Sequence, residues 1–99
     1  SNVFCVLDDE IYTPSLENSG VAGVMRQHVM KLADINNIPV NVIDISEQNF
    51  LQMDSIFITN SLIGIWPVTK ILSGDQQYNF SIAEQVKTMQ TSLNESLSA

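Results

Sequence analysis

A glycine-punctuated corner, Gly20-Val21-Ala22-Gly23, runs into Val24-Met25-Arg26-Gln27, the start of the longest helical pattern in the chain. Glycines three apart let a backbone approach a ligand closely or take positive φ, and the first amides of a helix have no partner inside it. Unpaired N–H groups and the positive end of the helix dipole then point the same way, so a phosphate would fit the amides of Gly23, Val24 and Met25. On spacing alone, tight packing or a cap explains such a corner as well. A second corner, Thr59-Asn60-Ser61, puts three small hydrogen-bonding residues at the end of a buried-type strand, where both ligand-binding loops and ordinary turns occur.

Other reactive side chains are scattered. Arg26 falls in the first helical turn, where the dipole disfavours a cation, which calls for an acidic partner or a carboxylate ligand. His28 stands on the same helix with no nearby acid or nucleophile in sequence, and reads as surface or core rather than as an acid or base. Asp8-Asp9-Glu10 has the look of a solvated hairpin tip more than of metal ligands. Cys5, Asp8, Asp9 and His28 fall on separate elements with nothing to orient them into one catalytic group.

The elements that must position these residues follow from periodicity. Val3 to Leu7 and Ile11 to Thr13 read as a hairpin closed by Pro14, after which Ser15 to Ser19 is a polar loop. Val24, Met25, Val29, Leu32, Ala33 and Ile35 give an amphipathic helix from about Gly23 to Asn36, stopped by Asn36-Asn37. Val40 to Ile45 is a strand, Ser46 caps a short helix through Met53, and Ser55 to Thr59 is a fully buried strand. Pro67 forbids a central ladder position, so Trp66-Pro67-Val68 belongs to an edge, a bulge or a strand turning a corner toward Lys70-Ile71-Leu72. Ser73-Gly74-Asp75 is a turn, and Ile82, Val86, Met89 and Leu93 fit a closing helix that frays from Asn94. The order β-β-α-β-α-β-β-α predicts a mixed α and β domain with no internal repeat or linker.

Composition narrows the partners. The chain has 99 residues, 44% of them hydrophobic, enough for one domain with a core. Four Lys plus Arg against eleven Asp plus Glu give a net charge of -7, which argues against nucleic acid and acidic lipid as partners. No run of about eighteen apolar residues marks a membrane span, and a lone cysteine fits a reducing compartment, so a cytoplasmic location is expected.

Ile11-Tyr12-Thr13-Pro14, Leu16-Glu17, Gly20 through Gln27, and Thr59-Asn60-Ser61-Leu62-Ile63-Gly64-Ile65-Trp66-Pro67-Val68, in that order and spacing, resemble the C-terminal domain of the fold-type IV pyridoxal-phosphate enzymes. The resemblance spans roughly residues 1 to 72, and its wording is most similar to the aminodeoxychorismate lyases. The related branched-chain and D-amino-acid aminotransferases typically carry Gly-Ile-Thr-Arg where this chain has Gly23-Val24-Met25-Arg26, and lack the Asn60-Ser61-Leu62 and Trp66-Pro67-Val68 wording.

The resemblance implies a D-amino-acid aminotransferase-like C-terminal domain, a sheet or pseudobarrel flanked by helices. It implies pyridoxal 5′-phosphate, held through its phosphate at Gly23, Val24, Met25, Asn60 and Ser61, with the Leu62 amide near the substrate carboxylate. The lysine that carries the cofactor and the glutamate facing its ring nitrogen would precede Ser1, so the chain is expected to be part of a longer two-domain enzyme and inactive alone. The implied activity is elimination of pyruvate from 4-amino-4-deoxychorismate to give 4-aminobenzoate, a folate precursor, by a homodimer. A same-fold aminotransferase and a non-catalytic binding domain are the alternatives.

Overall fold

The computed structural model describes residues 2–15, 24–60 and 64–98. Along the chain they form β1 (Asn2–Leu7), β2 (Glu10–Thr13), α1 (Val24–Ile35), β3 (Val40–Val42), α2 (Glu47–Leu51), β4 (Ser55–Asn60), β5 (Gly64–Val68), β6 (Lys70–Ser73), β7 (Gln76–Asn79) and α3 (Glu84–Ser98). Strands β3-β2-β1-β4-β5 make a five-stranded sheet, antiparallel except where β3 runs parallel to β2, and β6 with β7 makes a separate hairpin.

The alternation of side chains along each strand divides the sheet into two buried faces. Phe4, Val6, Ile11, Phe57 and Ile65 meet Val29, Leu32 and Ala33 of α1 and Val86, Met89 and Leu93 of α3. On the other face Cys5 and Ile56 meet Phe80, with half-buried Phe50, Leu51 and Met53 beside α2 and Ile71 and Tyr78 of the small hairpin. Central strands covered on both sides explain why Val3 to Leu7 and Ile56 to Ile58 are apolar without alternation.

Local chemistry sets the element ends. Asp8 and Asp9 close the β1–β2 hairpin at φ 51° and 68°, a two-residue turn whose left-handed backbone matches the strand twist. Asn37 adopts φ 59°, and the amides of Asn37 and Ile38 donate to the carbonyls of Asp34 and Ala33, so α1 ends in a Schellman motif. The Ser46 hydroxyl accepts from the Asn49 amide at 3.1 Å and starts α2. β5 is a sheet edge, with Pro67 beside Phe57, and the chain turns a corner at Thr69 into β6.

Five expectations need correction. β3 stops at Val42 because its only ladder partner, β2, ends at Thr13; Ile43 to Ile45 are not strand. Ile35, at the last turn of α1, is 62% exposed, and Ile82 lies before α3 rather than on its core face. Gln76–Asn79 form β7, a polar strand that pairs with β6 and carries no apolar alternation to reveal it. The last helix does not fray at Asn94, since no glycine or proline interrupts it and it runs to Ser98.

Candidate functional site

Register brings the ends of β2 and β4 to one end of the sheet. Thr13 ends β2 and Asn60 ends β4, while Asn2, opposite Thr59, begins β1 between them. Two inter-strand spacings separate β2 from β4 by about 10 Å across the sheet, and Asn60 extends three residues, roughly another 10 Å, beyond the level of Thr13. Helix α1 starts at this end as well, because Arg26 in its first turn donates from Nη2 to the carbonyl oxygen of Pro14 at 3.1 Å, directly beyond β2. Thr13 secures that strand end by donating its hydroxyl to the Val3 carbonyl at 2.8 Å. α1 then lies over β4, with Val29, Leu32 and Ala33 in the same buried cluster as Phe4 and Phe57.

Of the six residues singled out as cofactor or substrate ligands, Val24 opens α1, Met25 is half-buried against the core, and Asn60 closes β4. Gly23, Ser61 and Leu62 lie outside the described residues. Geometrically, the amides of Val24, Met25 and Arg26 lack intrahelical partners by their position in the helix, and none of the first-turn side chains is acidic.

Two buried polar atoms at this end of the domain are unsatisfied among the described residues: Nε of Arg26 and Oγ1 of Thr59. Arg26 is only 7% exposed and Thr59 is fully buried, on the helix-facing side of β4 shared by Phe57. The acidic partner expected of Arg26 is not among the described residues; its other contact is Nη1 to the Met30 sulfur at 3.5 Å. Thr59 was legible only as part of the strand-end triplet, and nothing in the sequence marked its hydroxyl as the one enclosed by the helix layer.

The remaining reactive side chains do not assemble. Cys5 is fully buried on the opposite face, and burial pushes its thiol from 9.0 up to about 12. Its thiolate is therefore suppressed at neutral pH. His28 sits 3.0 Å from the Ser96 oxygen; since that hydroxyl donates to the Leu93 carbonyl, His28 Nε2–H is left as the donor, a structural link between α1 and α3. Asp8 and Asp9 are exposed turn residues. Among the described residues no cluster of three His, Cys, Asp or Glu could hold a metal, and no helix is long and apolar enough to cross a membrane.

With this geometry in hand, comparison with known proteins is informative. The amino-transferase class IV family model matches residues 1–71. An aminodeoxychorismate lyase from Vibrio harveyi is 35% identical over 94 residues, covering 95% of this chain and 35% of that protein. The crystal structure of 4-amino-4-deoxychorismate lyase from Pseudomonas aeruginosa superposes with a TM-score of 0.89 at 32% identity, over 100% of this chain and 35% of its own. An aminotransferase from Brucella abortus, solved bound to the cofactor PLP, has the same fold at TM-score 0.88 and 24% identity, over 100% of this chain and 34% of its own. The chain thus spans a quarter to a third of the length of the curated relatives it matches: 35% of the Vibrio harveyi lyase and 26% of a branched-chain aminotransferase from Thermotoga maritima.

Proposed function

Because this chain belongs to the class IV aminotransferase family, we propose that it is the cofactor-phosphate-binding part of a longer pyridoxal 5′-phosphate enzyme that eliminates pyruvate from 4-amino-4-deoxychorismate, leaving 4-aminobenzoate. The observation that carries the lyase reading is the degree of identity over nearly the whole chain: 35% over 95% of it to the lyase from Vibrio harveyi, against 24% over 98% to a branched-chain aminotransferase. The Asn60-Ser61-Leu62 and Trp66-Pro67-Val68 wording favours the same branch.

The cofactor reading draws support from the donor set. A helix start, a buried guanidinium and a buried hydroxyl at one end of a sheet suit a phosphate monoester, and the overall charge of -7 would otherwise repel one. When bound, pyridoxal 5′-phosphate supplies an electron sink for the bonds broken at the substrate. This chain's residues bind and orient: the amides at Gly23, Val24 and Met25 together with Asn60 and Ser61 hold the phosphate, and the Leu62 amide meets a substrate carboxylate. The sheet behind them is fully packed, so water is excluded from the inner wall. The base that takes the substrate's proton would come from outside these residues. A homodimer in a reducing, cytoplasmic compartment completes the reading.

An assay of the full-length protein tests it. Release of 4-aminobenzoate and pyruvate from 4-amino-4-deoxychorismate is the expected result. Amino-group transfer to 2-oxoglutarate without such release would assign the protein to the aminotransferase branch, and no turnover of either kind with no cofactor bound would leave a binding domain.

A further inference from the structure

The face of the sheet away from α1 and α3 is incompletely covered, and two short elements explain why. β3 ends at Val42, so Ile43 to Ile45 leave the ladder and cross to α2. α2 has five residues, none of them buried, too few to close the space beside β2. A cavity of about 340 Å³ remains, the size of a small-molecule site. Leu7, Ile45 and Met53, all half-buried, supply apolar lining, and Ile43, 47% exposed, adds apolar surface open to solvent. The polar lining is Tyr12, Asp44, Asn49 and Gln52, whose side chains make no hydrogen bond to the described residues and are available to a ligand. Asp44 is the single charge there, and no Lys, Arg or His lines the cavity.

We propose that this cavity binds a small organic cation, an apolar or aromatic body that carries a protonated amine. Contact of the body with Leu7, Ile43, Ile45 and Met53 supplies affinity, and the Asp44 carboxylate selects the charge. The sign of that charge follows from the lining. A carboxylate ligand would face Asp44 with no cation to offset it, and the net charge of -7 adds to the repulsion. The Tyr12 phenol and the Asn49 and Gln52 amides offer hydrogen bonds to a hydroxyl or a further N–H on the ligand. The site is the same whichever reaction the longer protein performs.

The test uses the full-length protein with methyl-labelled isoleucine and methionine, titrated in NMR with three probes of similar shape. These are N,N-dimethyl-2-phenylethylamine, 2-phenylethanol and 3-phenylpropanoate: cationic, neutral and anionic. A tertiary amine cannot condense with an aldehyde cofactor, so its binding is not confused with chemistry there. The amine is expected to shift the methyl signals of Ile43, Ile45 and Met53 saturably. The alcohol should do so with about three- to fivefold weaker affinity, and the anion not at all. Asp44→Asn changes an exposed side chain, and an unaltered methyl spectrum without ligand shows that the variant folds. D44N should lose about three- to fivefold in affinity for the amine and nothing for the alcohol. Equal affinity for amine and anion, undiminished amine affinity in D44N, or saturable shifts only at other methyl groups overturns the assignment. So does the lack of a saturable shift with any probe, the result expected where another part of the protein fills the cavity.

Discussion

Phe4 and Phe57 lie directly opposite each other on β1 and β4, with ring centroids 5.0 Å apart and planes 5° from parallel, both fully buried beneath the two long helices. This pair is the floor on which α1 rests, and hence the level at which the helix start is presented beside the ends of β2 and β4. Offset stacking adds about 0.5–1.5 kcal/mol beyond area burial. Phe57→Ala is expected to destabilise the full-length protein by about 3–5 kcal/mol, since a ring-sized cavity between sheet and helices cannot close fully. Urea unfolding followed by far-UV circular dichroism measures it; a loss under about 1 kcal/mol would mean the floor is not packed as described.

Much of this arrangement was legible in the residues, and for physical reasons. The α1 pattern, the Asn37 stop, the Ser46 cap and the doubly buried β4 are local signals that agree with the fold. β7 was not legible, because Gln76, Gln77 and Asn79 carry no apolar period and the strand exists through pairing with β6. At the site, a helix start at Val24 and a strand end at Asn60 could be read from local pattern. That β2 and β4 end on the same side depends on β1 lying between them, a long-range choice no local pattern encodes. Arg26 in the first helical turn calls for an acidic partner or a carboxylate ligand; among the described residues its Nη2 donates to the Pro14 carbonyl.

Gly64 begins β5 opposite Asn60, at φ 70°, and a Cβ placed there would come within 3.1 Å of Leu93 Cδ2. The leucine tip can move aside, so most of the cost is backbone strain. Gly64→Ala should destabilise by about 1–2 kcal/mol. Because Gly64 pairs with Asn60, the same substitution should also weaken cofactor binding. Both are measured by thermal unfolding with and without added pyridoxal 5′-phosphate, and unchanged values in the two would show that the β4–β5 corner tolerates a side chain.

Asp8 and Asp9 hold left-handed backbone at a solvent-exposed turn far along the sheet from the strand ends at Thr13 and Asn60. An asparagine followed by a glycine suits such a turn best, so the double substitution Asp8→Asn with Asp9→Gly should raise stability by about 0.5–1 kcal/mol. Activity should be unaltered. A drop in the urea midpoint would indicate that the hydrogen bond Asp9 Oδ1 accepts from Gln85 Nε2 at 2.9 Å, which the glycine removes, matters more than turn preference.

Cys5 provides a pH signature. Its thiol is raised in the folded state from 9.0 to about 12, so the folded protein holds a proton that the unfolded chain releases. Its contribution to stability is complete below pH 9.0 and is lost progressively as pH rises toward about 12. Cys5→Ala should therefore flatten the alkaline fall in stability, and the native thiol should react with a disulfide reagent at neutral pH only as fast as the protein opens. Immediate stoichiometric labelling of folded protein would contradict the burial of this side chain.

Most directly decisive is a crystal structure of the full-length protein with pyridoxal 5′-phosphate. The phosphate oxygens are predicted to lie at hydrogen-bonding distance, about 2.7–3.2 Å, from first-turn amides of α1 and from the Asn60-Ser61 segment. A cofactor whose phosphate lies away from the start of α1, or first-turn amides already bonded to the chain's own carbonyls, would contradict the account.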